Sequence, residues 1–266
     1  MINTIKKYLR IFWIIQMARI GQEFGFRLNL IFELLGSVCF FALHLISFKF
    51  LISKFIFPNW TIGEAWVLLF TFEIFTYLSF FIMWKGLTRT VVDIRTGSLD
   101  IILVKPIESR MLAFFRSGGL HNLITGLMSV VCLTWTIIVF NIPVSLASIL
   151  FYIISIISGV WLIHSISVIV MSINFYLEYV EGSDSFVYQF QEALKYPAQM
   201  YAGLPLFFRV LIYSFAILTT FPAALLMSKD LSVSLFIGYL IFFIVLTILS
   251  QIIWNHSLRH YSSASS

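Results

Sequence analysis

The chain has 266 residues, of which 60% are hydrophobic and only 11% are charged. A soluble domain of this length could not bury so much apolar side chain, because much of its surface would have to face water. The net charge of +5 comes from cations that border apolar stretches and do not form a basic face. This pattern excludes nucleic acid as a partner and indicates a lipid bilayer.

The first predicted element is an N-terminal helix within residues 1–27. On a helical wheel Lys6, Lys7 and Arg10 lie opposite an apolar stripe that includes Phe12. A helix with one cationic and one apolar face lies in the plane of the membrane surface. The sequence therefore predicts an amphipathic helix ahead of the first crossing.

Apolar stretches of about 20 residues, long enough to cross a bilayer core as a helix, follow at several places. The sequence predicts an all-α membrane protein with six transmembrane helices in a single domain. Its predicted parts after the first helix are residues 28–84 (spans 1 and 2), 85–119 (a polar, basic connection), 120–176 (spans 3 and 4), 185–230 (span 5 and a proline-broken apolar segment), 231–254 (span 6) and 255–266 (a tail).

The region around span 5 admits two solutions. Hydropathy alone makes residues 204–227 the fifth crossing and residues 186–203 a cytosolic helix. In the second solution residues 186–200 form a short, polar crossing. The apolar segment after it, interrupted by Pro205 and Pro222, then dips into the membrane and returns, which is tolerated where protein covers the backbone.

Positive charge is concentrated in two places. Five Lys and Arg residues lie within residues 1–27 and six lie within residues 85–116, of seventeen in the whole chain. Since cytosolic connections carry the excess of Lys and Arg, both places are predicted to be cytosolic. The N-terminus and the C-terminus are then inside, and the turns at Asn59 and Asn141 are outside.

Three charged residues are predicted at or near membrane depth. Glu73 lies near the middle of span 2, and Glu192 and Lys195 lie in span 5 if the second solution holds. A charge there costs roughly 3 kcal/mol on insertion scales, so a charged residue at that depth is expected to have a structural or functional role. Glu73 is either a carboxyl buried between helices or part of a pathway, and the other two are either solvated or at an interface.

Motifs for nucleotide, zinc or nucleophilic chemistry are missing from the sequence. It contains no Walker phosphate loop, no His-Glu-x-x-His pattern and no Gly-x-Ser-x-Gly elbow. The five histidines are scattered along the chain. The chain is therefore expected to be non-catalytic and to hold no cofactor of its own.

Residues 94–107, IRTGSLDIILVKPI, resemble the Arg-x-Gly-x-Leu-Asp-x-x-Leu-x-x-Pro signature of bacterial type-2 ABC exporter permeases. More narrowly, they resemble an uncharacterised six-span subgroup whose ATPase is a separate chain. Three later segments agree with that subgroup in the same order, namely Tyr196-Pro197 with Tyr201 and Pro205, residues 221–226 (FPAALL) and residues 254–263 (WNHSLRHYSS).

The resemblance implies an elbow helix, a cytosolic coupling helix between spans 2 and 3, and re-entrant helices before span 6, which favours the second solution. It implies ABC ATPase subunits, which would bind ATP and magnesium, and a second permease chain as partners. The residues expected to couple to the ATPase are Arg95, Gly97, Leu99, Asp100 and Pro106. Those expected at the pathway or the permease interface are Glu73, Glu192, Lys195, Tyr196 and Pro197.

The residues themselves fit a coupling role. Gly97 can end a helix, Leu99 and Ile102 can form an apolar knob for a partner, and Pro106 can end the segment. The sequence is thus interpreted as the membrane subunit of an ATP-driven exporter. One rival is an integral membrane acyl or glycosyl transferase, which would need a clustered polar site. Another is a secondary transporter, which would favour internal repeats.

Overall fold

The computed structural model describes residues 2–54, 57, 59–115, 119–177, 182–201, 203–229 and 233–261. Helices joined by short turns make up this part of the chain, and it contains no strand. The α-helices are α1 (Ile2–Gly25), α2 (Arg27–Lys54), α3 (Ile62–Ser79), α4 (Lys85–Thr96), α5 (Asp100–Leu103), α6 (Ser109–Phe114), α7 (Leu120–Val139), α8 (Leu146–Met171), α9 (Ser183–Glu192), α10 (Leu206–Leu226) and α11 (Val233–Ser257).

Five helices in the described part are long and apolar enough to cross a membrane. They are Arg27–Lys54, Ile62–Thr96, Leu120–Val139, Leu146–Phe175 and Phe236–His260. Each exceeds the roughly 20 helical residues that a bilayer core requires. The chain is therefore an all-helical integral membrane protein, as the composition predicts.

The helix Ile62–Thr96 lies at the centre of the bundle. It consists of α3, a π-helical turn at Phe80–Trp84 and α4 without interruption. Most side chains of α3 are buried, whereas α2 and α11 expose apolar side chains along most of their length. The central helix packs against α7, α8 and α10, so a displacement along it would reach three of the other long helices.

Span 2 was predicted to end near Trp84, and the structure extends the same helix to Thr96. The extension is amphipathic, because Leu87 and Ile94 are buried while Arg89 and Arg95 face outward. Its polar residues therefore mark a helix that leaves the membrane, not the start of a loop.

Glycine allows the closest approach between backbones. A Cβ placed on Gly86 of α4 would lie 1.9 Å from the carbonyl oxygen of Phe114 in α6. The hydroxyl of Thr90 also donates to the carbonyl of Ala113, at 3.2 Å. Helix α6 is thereby fixed against the end of the central helix.

The segment predicted to be broken by two prolines is less broken than expected. Leu206–Leu226 forms one α-helix, with Pro205 at its N-cap and Pro222 inside its last turns. A proline just before a helix costs no hydrogen bond, because the first helical N–H groups have no intrahelical partner. Of the two prolines, Pro222 is the one that interrupts the hydrogen-bond ladder.

Candidate functional site

The first candidate region is Gly97–Pro106, called here the signature segment. Gly97 ends α4 in the left-handed conformation, with φ at 74°, which confirms its predicted role as a helix terminator. Beyond it the Leu99 N–H donates to the Asp93 carbonyl at 3.1 Å, and the Ser98 hydroxyl donates to the Asp93 carboxylate at 2.8 Å. The buried Asp93, which the sequence analysis overlooked, thus fixes the turn.

The apolar residues of the signature segment face two ways. Leu99 and Ile102 are 0% and 3% exposed, so the prediction that they form a knob for a partner is wrong. Ile101, Leu103 and Val104 point outward instead, and Val104 is 81% exposed. Leu99 and Ile102 lie three positions apart, so they share the buried face of the short helix α5, which packs against α6.

The remaining predicted coupling residues lie around this outward surface. Arg95 is exposed in the last turn of α4, Asp100 is half-buried at the start of α5, and Pro106 is exposed after it. The signature segment therefore presents an apolar tip flanked by charged residues.

Helices α1 and α11, near the two ends of the chain, contact the signature segment or the residues just after it. From α1, the Tyr8 hydroxyl accepts from the Glu108 N–H at 3.3 Å, and the Lys7 ammonium donates to the Pro106 carbonyl at 3.5 Å. From the far end, the Trp254 indole N–H donates to the Ser109 hydroxyl at 3.1 Å.

The tail also reaches the signature segment. Burial, and secondly the nearby Asp100 carboxylate, raise the pKa of the Tyr261 phenol above its ordinary value. Two of the sequence motifs, the basic loop and the tail, are therefore neighbours in space.

The second candidate region is a polar cluster inside the bundle, made of His44, Glu73, Glu192 and Lys195. His44 Nδ1 lies 2.7 Å from Glu73 Oε1, close enough to share a proton, and Glu73 is only 1% exposed. On the other side of the ring, His44 Nε2 lies 3.9 Å from Glu192 Oε1. Lys195 Nζ lies 2.6 Å from Glu192 Oε2.

The turns after α9 bring this polar cluster together. Helix α9 ends at Glu192, and a 3₁₀ turn, Ala193–Lys195, follows it directly. The Thr219 hydroxyl of α10 donates to the Leu194 carbonyl, and the Thr220 hydroxyl accepts from the Ala198 N–H at 3.0 Å. These bonds use backbone groups that no regular helix would satisfy.

Tyr196 and Pro197 lie beside the polar cluster. The ammonium of Lys195 is 5.5 Å from the centroid of the Tyr196 ring, and Pro197 is buried. The structure thus places Glu73, Glu192, Lys195 and Tyr196 close together. It adds His44, which stands in mid-span like Glu73 and could have been singled out by that signal.

A cavity of about 510 Å³, called here the chamber, lies between α2, α3 and α7 and borders the polar cluster. At its other end Glu33 Oε2 lies 3.1 Å from His121 Nδ1, and Glu33 Oε1 lies 4.0 Å from Lys85 Nζ. Lys85 also pairs with Glu23 at 3.0 Å. The chamber therefore has a histidine–carboxylate pair at each end.

Aromatic rings line the rest of the chamber. Phe80, Trp84 and Tyr188 contact one another, with centroid distances of 4.9 to 5.8 Å. No group of three or more His, Cys, Asp and Glu side chains within the described residues could hold a metal ion. The chamber can thus bind by charge and by ring contact.

His164 lies in α8. Its ring is fully buried among Phe114, Phe115 and Trp161, and neither ring nitrogen has a hydrogen-bond partner among the described residues. His164 is therefore an aromatic packing residue and not part of the chamber.

The central helix joins the two candidate regions. Glu73 lies in α3 and the signature segment begins directly after α4, on the same helix of 35 residues. At 1.5 Å per residue, Glu73 and Thr96 are roughly 35 Å apart along its axis. An all-helical membrane domain with a polar chamber inside and a fixed, exposed turn at one end is typical of a transporter.

A comparison with protein families supports this class. The family described as ABC-2 family transporter protein matches residues 38–265. The match covers most of the chain, which therefore belongs to this family and is a permease subunit of a type-2 ABC transporter. Membership implies an ABC ATPase as partner. A comparison with curated proteins finds no match.

Proposed function

We propose that this chain is the transmembrane subunit of an ATP-driven exporter. Two permease chains, identical or related, enclose the pathway. Two separate ATPase subunits bind beneath them and hold ATP and magnesium. The signature segment receives the movement of the ATPase, and the central helix transmits it to the chamber.

The exposed tip Ile101, Leu103 and Val104 is the observation that carries this proposal. A membrane subunit without a nucleotide motif needs a contact surface for its ATPase. This tip is apolar, it is flanked by Arg95 and Lys105, and it extends from a turn fixed by Asp93. Apolar side chains on a rigid turn contribute more binding free energy than those on a flexible loop, because less conformational entropy is lost on binding.

Two groups of contacts, together with the distribution of positive charge, support an orientation. Near one end of the bundle, the Lys229 ammonium donates to the Asn59 carbonyl at 2.8 Å, and the hydroxyls of Ser148 and Ser228 lie 2.8 Å apart. The signature segment and the cationic α1 lie together at the other end. We place that second, basic end in the cytosol of a bacterium, with both termini inside.

We further assign six crossings. The fifth consists of α9 and the turns up to Tyr201, and α10 is the re-entrant helix. In support, Tyr188 lies against Phe80 and Trp84, and Glu192 lies 3.9 Å from His44, the partner of Glu73, so α9 runs beside part of the central helix. Helix α1, with exposed Lys6 and Lys7, serves as the elbow in the membrane surface.

A photo-crosslinking amino acid at Val104 tests the proposal. Expressed with its ATPase, the chain should give an ATPase adduct from this position, and native mass measurement should find two permeases with two ATPases. Val139 is the matched control. It is also an exposed valine, but it is the last residue of α7, at the end of the bundle opposite the signature segment. Absence of an adduct from position 104, or equal adducts from both positions, would contradict the assignment.

A further inference from the structure

We propose that the chamber binds an organic cation carried on an apolar, aromatic-sized body, and that this is the substrate class of the exporter. The inference rests on the proposed export function for its role, but the binding itself belongs to this chain alone. The volume of about 510 Å³ is within the range of pockets that hold small molecules.

The fixed charges of the chamber favour a cation. Two carboxylates, Glu33 and Glu73, and one ammonium, Lys85, line the chamber. Lys85 lies 4.0 Å from Glu33 and also pairs at 3.0 Å with Glu23, which lies outside the lining. Glu192 and Lys195 neutralise each other at 2.6 Å. While the imidazoles of His44 and His121 are neutral, the lining therefore has an excess of one negative charge.

The aromatic wall favours a cation for a second reason. Phe80, Trp84 and Tyr188 form one ring cluster on the chamber wall, and Phe40 and Tyr77 add two further rings. Ring faces attract cations and, at the same time, make contact with apolar surface. A hydrophilic cation would interact only with the carboxylates, whereas an amphiphilic cation would interact with both the carboxylates and the aromatic rings.

Thr76 supplies an independent sign of a ligand. Its side chain lines the chamber and is 5% exposed, yet its hydroxyl has no hydrogen-bond partner among the described residues. The neighbouring Thr71 and Ser79 both donate to the carbonyl four residues earlier, at 2.8 Å. A buried hydroxyl that forgoes this bond costs stability unless something in the chamber satisfies it.

The chamber opens beside Gly36 and Phe40, which are exposed on α2. The adjoining face of α2 carries the exposed apolar residues Phe32 and Leu35. A molecule dissolved in the bilayer can therefore enter sideways. This access matches an amphiphile better than a water-soluble ion.

Binding of tetraphenylphosphonium to the purified permease in an uncharged detergent tests the inference. Tetraphenylborate has nearly the same shape and the opposite charge. The phosphonium should bind saturably and the borate should not compete. A Glu73→Gln change should weaken phosphonium binding about tenfold or more. Equal binding of the two ions, or preference for the borate, would overturn the proposal.

Gly36→Leu tests whether the chamber is the site. Gly36 lines the chamber and a Cβ there meets nothing within 4 Å, so a larger side chain at this position is expected to occupy part of the chamber. Gly21→Leu is the matched control, because that glycine is equally open but lies on α1, away from the chamber. Only Gly36→Leu should remove binding. If Gly36→Leu does not fold, the comparison of the two ions on the unchanged protein still decides.

Two sources could supply the cation, an aminophospholipid or a free amphiphile. Phosphatidylethanolamine that displaces the phosphonium would indicate the lipid, and no displacement would indicate a free amphiphile. Both results support a cation site, whereas displacement by phosphatidylglycerol alone contradicts it.

The binding experiment uses the permease without its ATPase, so it is independent of the crosslinking experiment at Val104. Binding without the Val104 adduct would refute export only, and the adduct without binding would refute only the chamber's role.

Discussion

Leu99 and Val104 lie in the same short segment but have opposite environments. Leu99 is fully buried between α4 and α6, and Val104 is 81% exposed. A Leu99→Ala change should therefore lower the free energy of unfolding by about 2–5 kcal/mol, because it leaves a cavity. Val104→Ala should change it by about 0.5 kcal/mol or less. Thermal unfolding of the purified permease measures both, and equal losses would contradict the described burial.

The pair of Glu192 and Lys195 permits a double-mutant cycle. Removing one partner leaves an uncompensated charge beside His44, so each single change to Ala should reduce stability more than the double change does. The coupling should be about 1–3 kcal/mol.

Glu64 and Lys229 serve as the control pair for this cycle. They lie 2.9 Å apart near the opposite end of the bundle, and their side chains are about as exposed as those of Glu192 and Lys195, so a comparable coupling is expected there. Strictly additive effects at Glu192 and Lys195 would instead place both side chains in water.

At the scale of single residues, the sequence could predict charge but not contact. Glu73, Glu192 and Lys195 were identifiable because a charge in an apolar span is costly. His44 could have been identified by its position within an apolar span, but its 2.7 Å contact with Glu73 on another helix could not. Leu99 was assigned the wrong face, because the direction of a side chain in a turn depends on the turn's own hydrogen bonds.

Secondary-structure elements were predicted best where hydrophobicity alone decides. The positions of α2, α7, α8 and α11 agree with the predicted spans because each is a long apolar run. The helix of the second span continues to Thr96, about one short helix beyond the predicted end of the span. Residues 85–96 are amphipathic, and their apolar face is visible only once α6 covers it.

The segment with two prolines shows a second limit to prediction from sequence. Composition predicted interruption, but Leu206–Leu226 remains one helix because Pro205 stands at its start. Whether α9 and α10 cross or re-enter depends on their depth relative to lipid, which no local pattern specifies. That assignment stays a prediction.

At the scale of the whole molecule, the central helix is the feature that connects the parts. Its buried half borders the chamber, its amphipathic half carries α6, and its end carries the signature segment. The π-helical turn at Phe80–Trp84 lies between the two halves, and such turns are common at functional sites. A push on Val104 is therefore expected to change the chamber.

The most direct measurement is the effect of ATP on the reactivity of a cysteine in the chamber. The cysteine is introduced in place of Ser37, which lines the chamber, and the native Cys39 and Cys132 are replaced by serine. In the complex with its ATPase, ATP with magnesium should change the maleimide reaction rate at position 37 by ~5-fold or more. With Val104→Asp the ATPase should still hydrolyse ATP, but this change in rate should be lost. An equal response in both proteins, or no response while ATP is hydrolysed, would contradict coupling through the signature segment.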